Sequence, residues 1–197
     1  MSKPLPLLTS PPPERRDAAR NREALLEAAV CLVEVHGVAG VTMDALAARA
    51  GVGKGTVFRR FGSREGLMAA LLNHSETEWQ AAVMGGPPPL GPGAPPLDRL
   101  LAFGASRMEL NLRHAELIEA AGHPGTRGVG ALSFTTMHVR YLLGEIGVVG
   151  DLGYLATALV APLEIIVLRE QVDRAQVPMA RIVAGWTDLV HRVVSAP

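Results

Sequence analysis

Between Lys54 and Arg64 the chain places Lys54, Thr56, Arg59, Arg60 and Arg64, interleaved with Val57, Phe58 and Phe61. Four cations and a hydroxyl, with no carboxylate among them, suit a partner that is itself a polyanion. Lysine and arginine make charge-assisted hydrogen bonds to phosphate, while arginine and threonine also reach base edges in a nucleic-acid groove. The chemistry is that of binding. No nucleophile elbow, phosphate-binding loop or HExxH pattern appears anywhere, and Ser106, Ser133 and Asp188 are scattered with nothing to link them into a catalytic set.

Those cations need a rigid mount, and the flanking sequence supplies one. Thr42 is a good helix N-cap, and Asp44 follows in the first turn, where a negative charge complements the helix dipole. Leu46, Ala47 and Ala50 keep one face apolar, and Gly51 suits the left-handed conformation that ends a helix in a tight turn. In the helix that follows, Val57 and Phe61 stand four apart and form a buried edge, leaving Lys54, Arg59 and Arg60 on other faces. Ser63 can cap a third helix running from Arg64 through Leu67 and Leu71 towards Trp79. Upstream, Leu25, Ala29, Leu32 and Val33 repeat at helical spacing as far as Gly37. The expectation is a helix-turn-helix held on a three-helix core, with its second helix facing a DNA groove.

Taken in order, Ala24-Leu25-Leu26-Glu27-Ala28-Ala29, His36-Gly37, Thr42, Leu46-Ala47, Ala50-Gly51-Val52, Gly55-Thr56-Val57-Phe58, Phe61, Arg64-Glu65 and Leu67 resemble the tetracycline-repressor-like (TetR) family of bacterial transcriptional regulators. The resemblance covers roughly residues 18–72. It implies that Thr42 caps the first motif helix and offers a hydroxyl or amide to phosphate, and that Lys54 and Arg64 are phosphate contacts. Gly55 would allow close approach, Thr56 would meet a base edge or a thymine methyl, and Arg59 and Arg60 would read guanine or clamp the backbone. Three positions depart from the commoner pattern. Gly53 stands where a serine often caps the recognition helix, Phe58 replaces a frequent tyrosine, and Arg60 replaces a frequent histidine. Phe58 therefore lacks a hydroxyl for phosphate, while Arg60 adds permanent charge and reach.

The net charge of the 197-residue chain is zero, but its distribution is uneven. Residues 14–64 carry nine Lys/Arg against six Asp/Glu, and residues 65–197 carry nine against thirteen. A basic head on an acidic body fits a DNA reader attached to a regulatory part. Abundant alanine and few aromatics favour an all-α fold. The expected organisation is a disordered proline-rich arm (residues 1–16) whose junction carries Arg15, Arg16, Arg20 and Arg22. A DNA-binding domain follows over 17–63, then a ligand-binding and dimerisation domain over 64–197. Cys31 is the only cysteine, which excludes an intrachain disulfide, and it is expected to be buried as a small hydrophobe. The N-terminus does not read as a signal peptide, and the apolar run Leu152–Leu163 is too short to span a bilayer, so the expected location is the cytoplasm, away from membranes.

In the second part, the run from Gly85 to Pro96 reads as a flexible loop, followed by helices near 97–121, 127–147, 152–171 and 178–194. Pro162 should kink the third of these, and Pro178 should sit in the first turn of the last. Apolar stripes at Leu155, Leu159, Leu163, Ile166 and at Ile182, Trp186, Leu189, Val193 have a partner-facing period. The family resemblance implies that the last two helices pair across a two-fold axis, giving a homodimer on a palindromic double-stranded DNA operator. Phe103, Arg107, Leu110 and His114 share a sector of one helix, and with Phe134, Met137, His138 and Tyr141 of the next they form a candidate pocket for a small-molecule inducer of mixed apolar and polar character. The alternative is a packed core holding a few buried hydrogen bonds. Glu119, His123 and His114 do not make a closed metal constellation, and neither a metal nor another cofactor is expected. The leading expectation is a ligand-responsive repressor. The alternatives are a regulator or activator without an inducer and, from another class, a small metal-dependent enzyme.

Overall fold

The structure, a computed structural model, describes residues 13–122 and 129–195. Residues 1–12 of the expected arm and His123 lie outside them, as do the side chains of Arg15 and Arg16. Every regular element among the described residues is helical: α1 (Pro13–Gly40), α2 (Met43–Ala50), α3 (Lys54–Phe61), α4 (Arg64–Gly85), α5 (Pro96–Arg113), α6 (Ala115–Ala120), α7 (Val129–Ile146), α8 (Leu152–Val160), α9 (Ile165–Arg169) and α10 (Met179–Val194). The chain divides into two compact units, Met1–Leu71 and Leu72–Pro197, the division falling inside α4.

The first unit buries Leu25, Leu26, Ala29 and Leu32 of α1 against Leu46 of α2, Val57 and Phe61 of α3, and Leu67, Met68 and Leu71 of α4. Gly37 takes positive φ and non-helical ψ, so α1 breaks where the sequence pattern ends it. Cys31 is half-buried rather than enclosed, because the inward face of α1 belongs to Leu25, Ala29 and Leu32 and leaves it at the edge.

In the second unit α5 is the central helix and packs against α7, α9 and α10, while α7 and α8 pair closely. The loop Gly85–Pro96, expected to be flexible, forms a compact turn. The Gly91 amide donates to Pro87 O at 3.0 Å, and a Cβ on Gly91 would stand 1.9 Å from Gly86 O, so the glycines permit backbone to stack on backbone. The helix expected over 97–121 is divided at His114, whose φ of −100° and ψ of 13° close α5 and open α6.

Pro162 breaks the third apolar helix as expected. A single 3₁₀ turn, Ala161–Leu163, separates α8 from α9, and the segments on either side bend by 44°. Such a break leaves carbonyls without helical partners, and two buried side chains take them up. Asn111 Nδ2 donates to Leu163 O at 2.6 Å and Trp186 Nε1 to Leu159 O at 2.8 Å. Neither role was visible in the sequence, where Asn111 sits unremarked in an apolar helix. No single helix among the described residues is long and apolar enough to cross a membrane; the bent pair formed by Leu152–Leu163 and Ile165–Arg174 has the length and composition only in combination, and its Leu159, Leu163 and Leu168 are core residues.

Trp186 also explains Gly104. A Cβ on Gly104 would meet two ring carbons of Trp186 at 2.2 Å, so α5 and α10 close only because that position carries no side chain. Gly→Ala inside a helix ordinarily stabilises; here Gly104→Ala should destabilise by about 1–3 kcal/mol through overpacking, measured as a lowered urea midpoint. A second expectation concerns His138, which is 6% exposed and packed 5.1 Å from the Phe103 ring. Burial, assisted by the charge of Arg99, lowers its pKa from 6.5 to about 4. Between those values the unfolded chain holds a proton that the folded chain refuses. Stability should therefore be full above about pH 6.5 and fall as pH drops towards 4, by up to about 3 kcal/mol. His138→Phe should remove that part of the pH dependence in denaturation curves.

Candidate nucleic-acid interface

The turn between α2 and α3 is built by hydrogen bonds the sequence prepares. Thr42 Oγ1 accepts from the Ala45 amide at 3.0 Å and starts α2. Gly51 ends it at φ 65° and ψ 29°, its amide donating to Ala48 O while the Val52 amide donates to Ala47 O. This paired closure needs a left-handed residue at the turn. Gly53 then precedes α3 in extended conformation without a side-chain cap, the serine position of the commoner pattern being empty of any acceptor.

On α3, Val57 and Phe61 face inward and are buried, while Lys54, Gly55, Phe58, Arg59 and Arg60 are exposed and Thr56 is half-buried. The structure therefore gathers six of the sequence-selected contact residues on the outer surface of one two-turn helix. A Cβ on Gly55 would meet nothing within 4 Å inside the protein, so its smallness serves no internal packing. Lys54 Nζ reaches across the turn to Asp44, at 2.8 Å from one carboxylate oxygen and 2.9 Å from the other, and lies 5.7 Å from the Phe58 ring centre. The ion pair is largely exposed, so it is weak and holds the lysine near the surface without committing it. Phe58 gives that ammonium an apolar and π-rich neighbour in place of a hydroxyl.

Arg64 behaves differently from the other cations. Its Nε donates to Val41 O at 2.9 Å and its Nη2 to Val38 O at 2.6 Å. Two faces of the guanidinium are thus spent on carbonyls at the end of α1 and the start of α2, where it ties the first turn of α4 to the base of the motif. Ser63 Oγ caps that turn, accepting from the Gly66 amide at 3.1 Å. The backbone amide of Glu65 and, after it, the same Ser63 hold the Glu65 carboxyl below the usual carboxylate range.

The body residues selected from sequence divide into two groups. Phe103, Arg107, Leu110 and His138 are buried and Phe134 is half-buried, with rings of Trp79, Phe103, Phe134 and His138 in mutual contact. Arg107, 2% exposed, is paired with Glu76 at 2.7 Å and lies 4.7 Å over Trp79, neither partner having been selected from the sequence. Met137 and Tyr141 are more than half exposed, on the outward side of α7, and His114 sits at the joint between α5 and α6. The residues of the two partner-facing stripes also divide. Leu159, Leu163, Ile182 and Trp186 are buried within a single subunit and Leu155 and Val193 are half-buried, leaving Ile166 and Leu189 exposed. An apolar period reports that a face is covered, and here most of that face is covered by the chain itself. Among the described residues no group of three or more His, Cys, Asp or Glu is placed to hold a metal, and Glu119 is ion-paired with Arg169.

Comparison with known proteins agrees with this geometry. The model of bacterial regulatory proteins of the tetR family matches residues 25–71. An HTH-type transcriptional repressor of Mycobacterium tuberculosis is 37% identical over 76 residues, covering 36% of this chain and 40% of that protein. The repressor LfrR of Mycolicibacterium smegmatis is 36% identical over 85 residues, 43% of this chain and 44% of that one. The matched stretch thus spans less than half the length of these curated relatives. Likeness over the whole fold comes from solved structures. The multidrug binding protein EbrR, solved with imidazole, is 27% identical with a TM-score of 0.60, covering 98% of this chain and 99% of its own. A transcriptional regulator of Rhodococcus sp. Rha1 superposes with a TM-score of 0.62 at 19% identity, over 88% of this chain and 95% of that one. With the capped turn and the outward cations of α3 in place, residues 25–71 carry the domain described for bacterial regulatory proteins of the tetR family.

Proposed function

We propose that the chain is a homodimeric repressor that binds a palindromic double-stranded operator through α3 and leaves it when a small molecule occupies the body. The observation that carries the reading is the exposed surface of α3, where Lys54, Arg59 and Arg60 stand outward from a helix anchored by Val57 and Phe61. Arg59 and Thr56 are assigned to base edges, Lys54 and Thr42 to phosphate, and Gly55 to close approach of the DNA backbone. Arg60 adds reach on the same face. Arg64 is assigned first to holding α4, with only its remaining guanidinium edge available to phosphate.

Two such heads must present α3 to major grooves one helical turn apart, about 34–36 Å, which requires a dimer. The inward stripes of α8 and α10 are already used, so the pairing face is assigned to their outward sides: Tyr154, Thr157 and Ala158 on α8, Ala161 in the turn after it, and Ala184, Gly185 and Leu189 on α10, with Ile166 between. The small residues would let helices of two copies approach closely. Ligand response is supported by the mixed polar and aromatic core around Arg107 and His138, and by the likeness to EbrR, which is described as a multidrug binding protein. A coupling of about 1–3 kcal/mol between body and head would change operator affinity 5–150-fold.

Operator binding should weaken steeply with salt because phosphate neutralisation releases counterions. Lys54→Ala should weaken binding to all sequences and lower the salt slope by about one. Asp44→Asn, which frees Lys54 from its carboxylate partner, should instead strengthen binding, and fluorescence anisotropy across a salt series reads both. Gly185→Arg tests the pairing face. A Cβ at Gly185 meets nothing within 4 Å, so the protomer should stay folded by circular dichroism while sedimentation shows it as a monomer.

A further inference from the structure

The core of the body leaves three buried nitrogens without a hydrogen-bond partner: Arg99 Nε, Arg107 Nε and His138 Nε2. Buried polar groups in folded proteins are almost always satisfied, so three together call for an explanation. They are not scattered. Arg99, Phe103 and Arg107 follow one another at intervals of four along α5 and so share one face. His138 of α7 lies against Phe103, and the positive charge of Arg99 reaches it strongly enough to oppose its protonation. Trp79 closes the cluster, 5.0 Å from Phe103 and 6.0 Å from Phe134 between ring centres.

The charges around this aromatic surface do not balance. Glu76 neutralises Arg107, and among the described residues no ion pair neutralises Arg99. His138, with a pKa near 4, is uncharged at neutral pH. Two guanidiniums therefore face one carboxylate, and unspent N–H donors lie beside flat rings. A cation would meet net repulsion and find the one carboxylate already engaged. An anion would find charge, donors and a stacking surface together. The eight steps from Arg99 to Arg107 rise about 12 Å along the helix, close to the length of a two-ring aromatic carrying a polar group.

We propose that this cluster is the recognition point for the body's ligand and that the ligand is a flat aromatic carboxylate, its carboxylate accepting from Arg99 and its rings lying against Phe103 and His138 as it extends towards Arg107. The proposal rests on the reading that the body takes a small molecule, and it names that molecule's chemical class.

Calorimetric titration of the full-length protein with 2-naphthoate, its neutral isostere 2-naphthamide and the cation 2-naphthylmethylammonium tests it. The carboxylate should bind at least about tenfold more tightly than either relative, as expected for hydrogen bonds to a charged group. Arg99→Gln should remove that preference and Arg99→Lys should restore part of it. Arg99 is half-buried and has no ion pair among the described residues, so circular dichroism should show both variants folded. Equal binding of the three compounds, preference for the cation, naphthoate affinity indifferent to Arg99→Gln, or no binding of naphthoate up to millimolar concentration would each overturn the proposal; in the last case ordered water satisfies the nitrogens. Operator binding measured alongside separates the two readings. Naphthoate that binds through Arg99 but leaves operator affinity unchanged would sustain the anion site and remove the inducer role. Release of the operator by the cation, with naphthoate inert, would do the reverse.

Discussion

The head depends on how Arg64 is held. Its side chain donates to the carbonyls of Val38 and Val41, at the broken end of α1 and the entry to α2. One planar, permanently charged fork thereby joins three segments: the end of α1, the entry to the helix-turn-helix, and the first turn of α4. Charged donors to backbone carbonyls are among the stronger hydrogen bonds available, and a partly buried setting protects these from competition by water. With α4 fixed, Leu67 and Leu71 reach the same core that receives Val57 and Phe61, and α3 has no freedom to turn its cations inward. The outward display of Lys54, Arg59 and Arg60 is a consequence of what is locked behind them.

The body solves a different problem. Pro162 breaks a long apolar helix and creates carbonyls that a low-dielectric core cannot leave unpaired. Asn111 and Trp186 pair them, and Gly104 makes room for Trp186 to do so. These four residues form a single argument in which proline, amide, indole and glycine require one another. Polar satisfaction is thorough at this break and incomplete a few turns away, around Arg99, Arg107 and His138. That contrast separates polar groups that specify the fold from polar groups left facing an acceptor.

Much of the head was legible in the sequence because its signals are local. Thr42, Gly51 and Ser63 act on amides within three or four residues, and Val57 with Phe61 announces the buried edge of α3 by spacing alone. The hold of Arg64 on two backbone carbonyls was not legible, because those partners lie 23 and 26 residues upstream, beyond any local pattern. In the body, helical periods placed the helices and Pro162 marked the break, yet the periods could not say which surface each stripe meets. Leu159, Leu163, Ile182 and Trp186 show the ambiguity, since a face covered by the same chain and one covered by a second copy carry the same residues. Glu76 shows the same limit: nothing local says that a carboxylate on α4 will neutralise Arg107 on α5.

The central claim is that this fold presents two copies of α3 to one stretch of DNA. Selection of bound fragments from a random duplex pool by the full-length protein tests it most directly. The account predicts enrichment of an inverted repeat whose half-sites are centred about 10–10.5 base pairs apart, or a whole multiple of that, with binding lost steeply as salt rises. A pool that yields no enriched sequence, or a single unpaired half-site bound by a monomer, would contradict it.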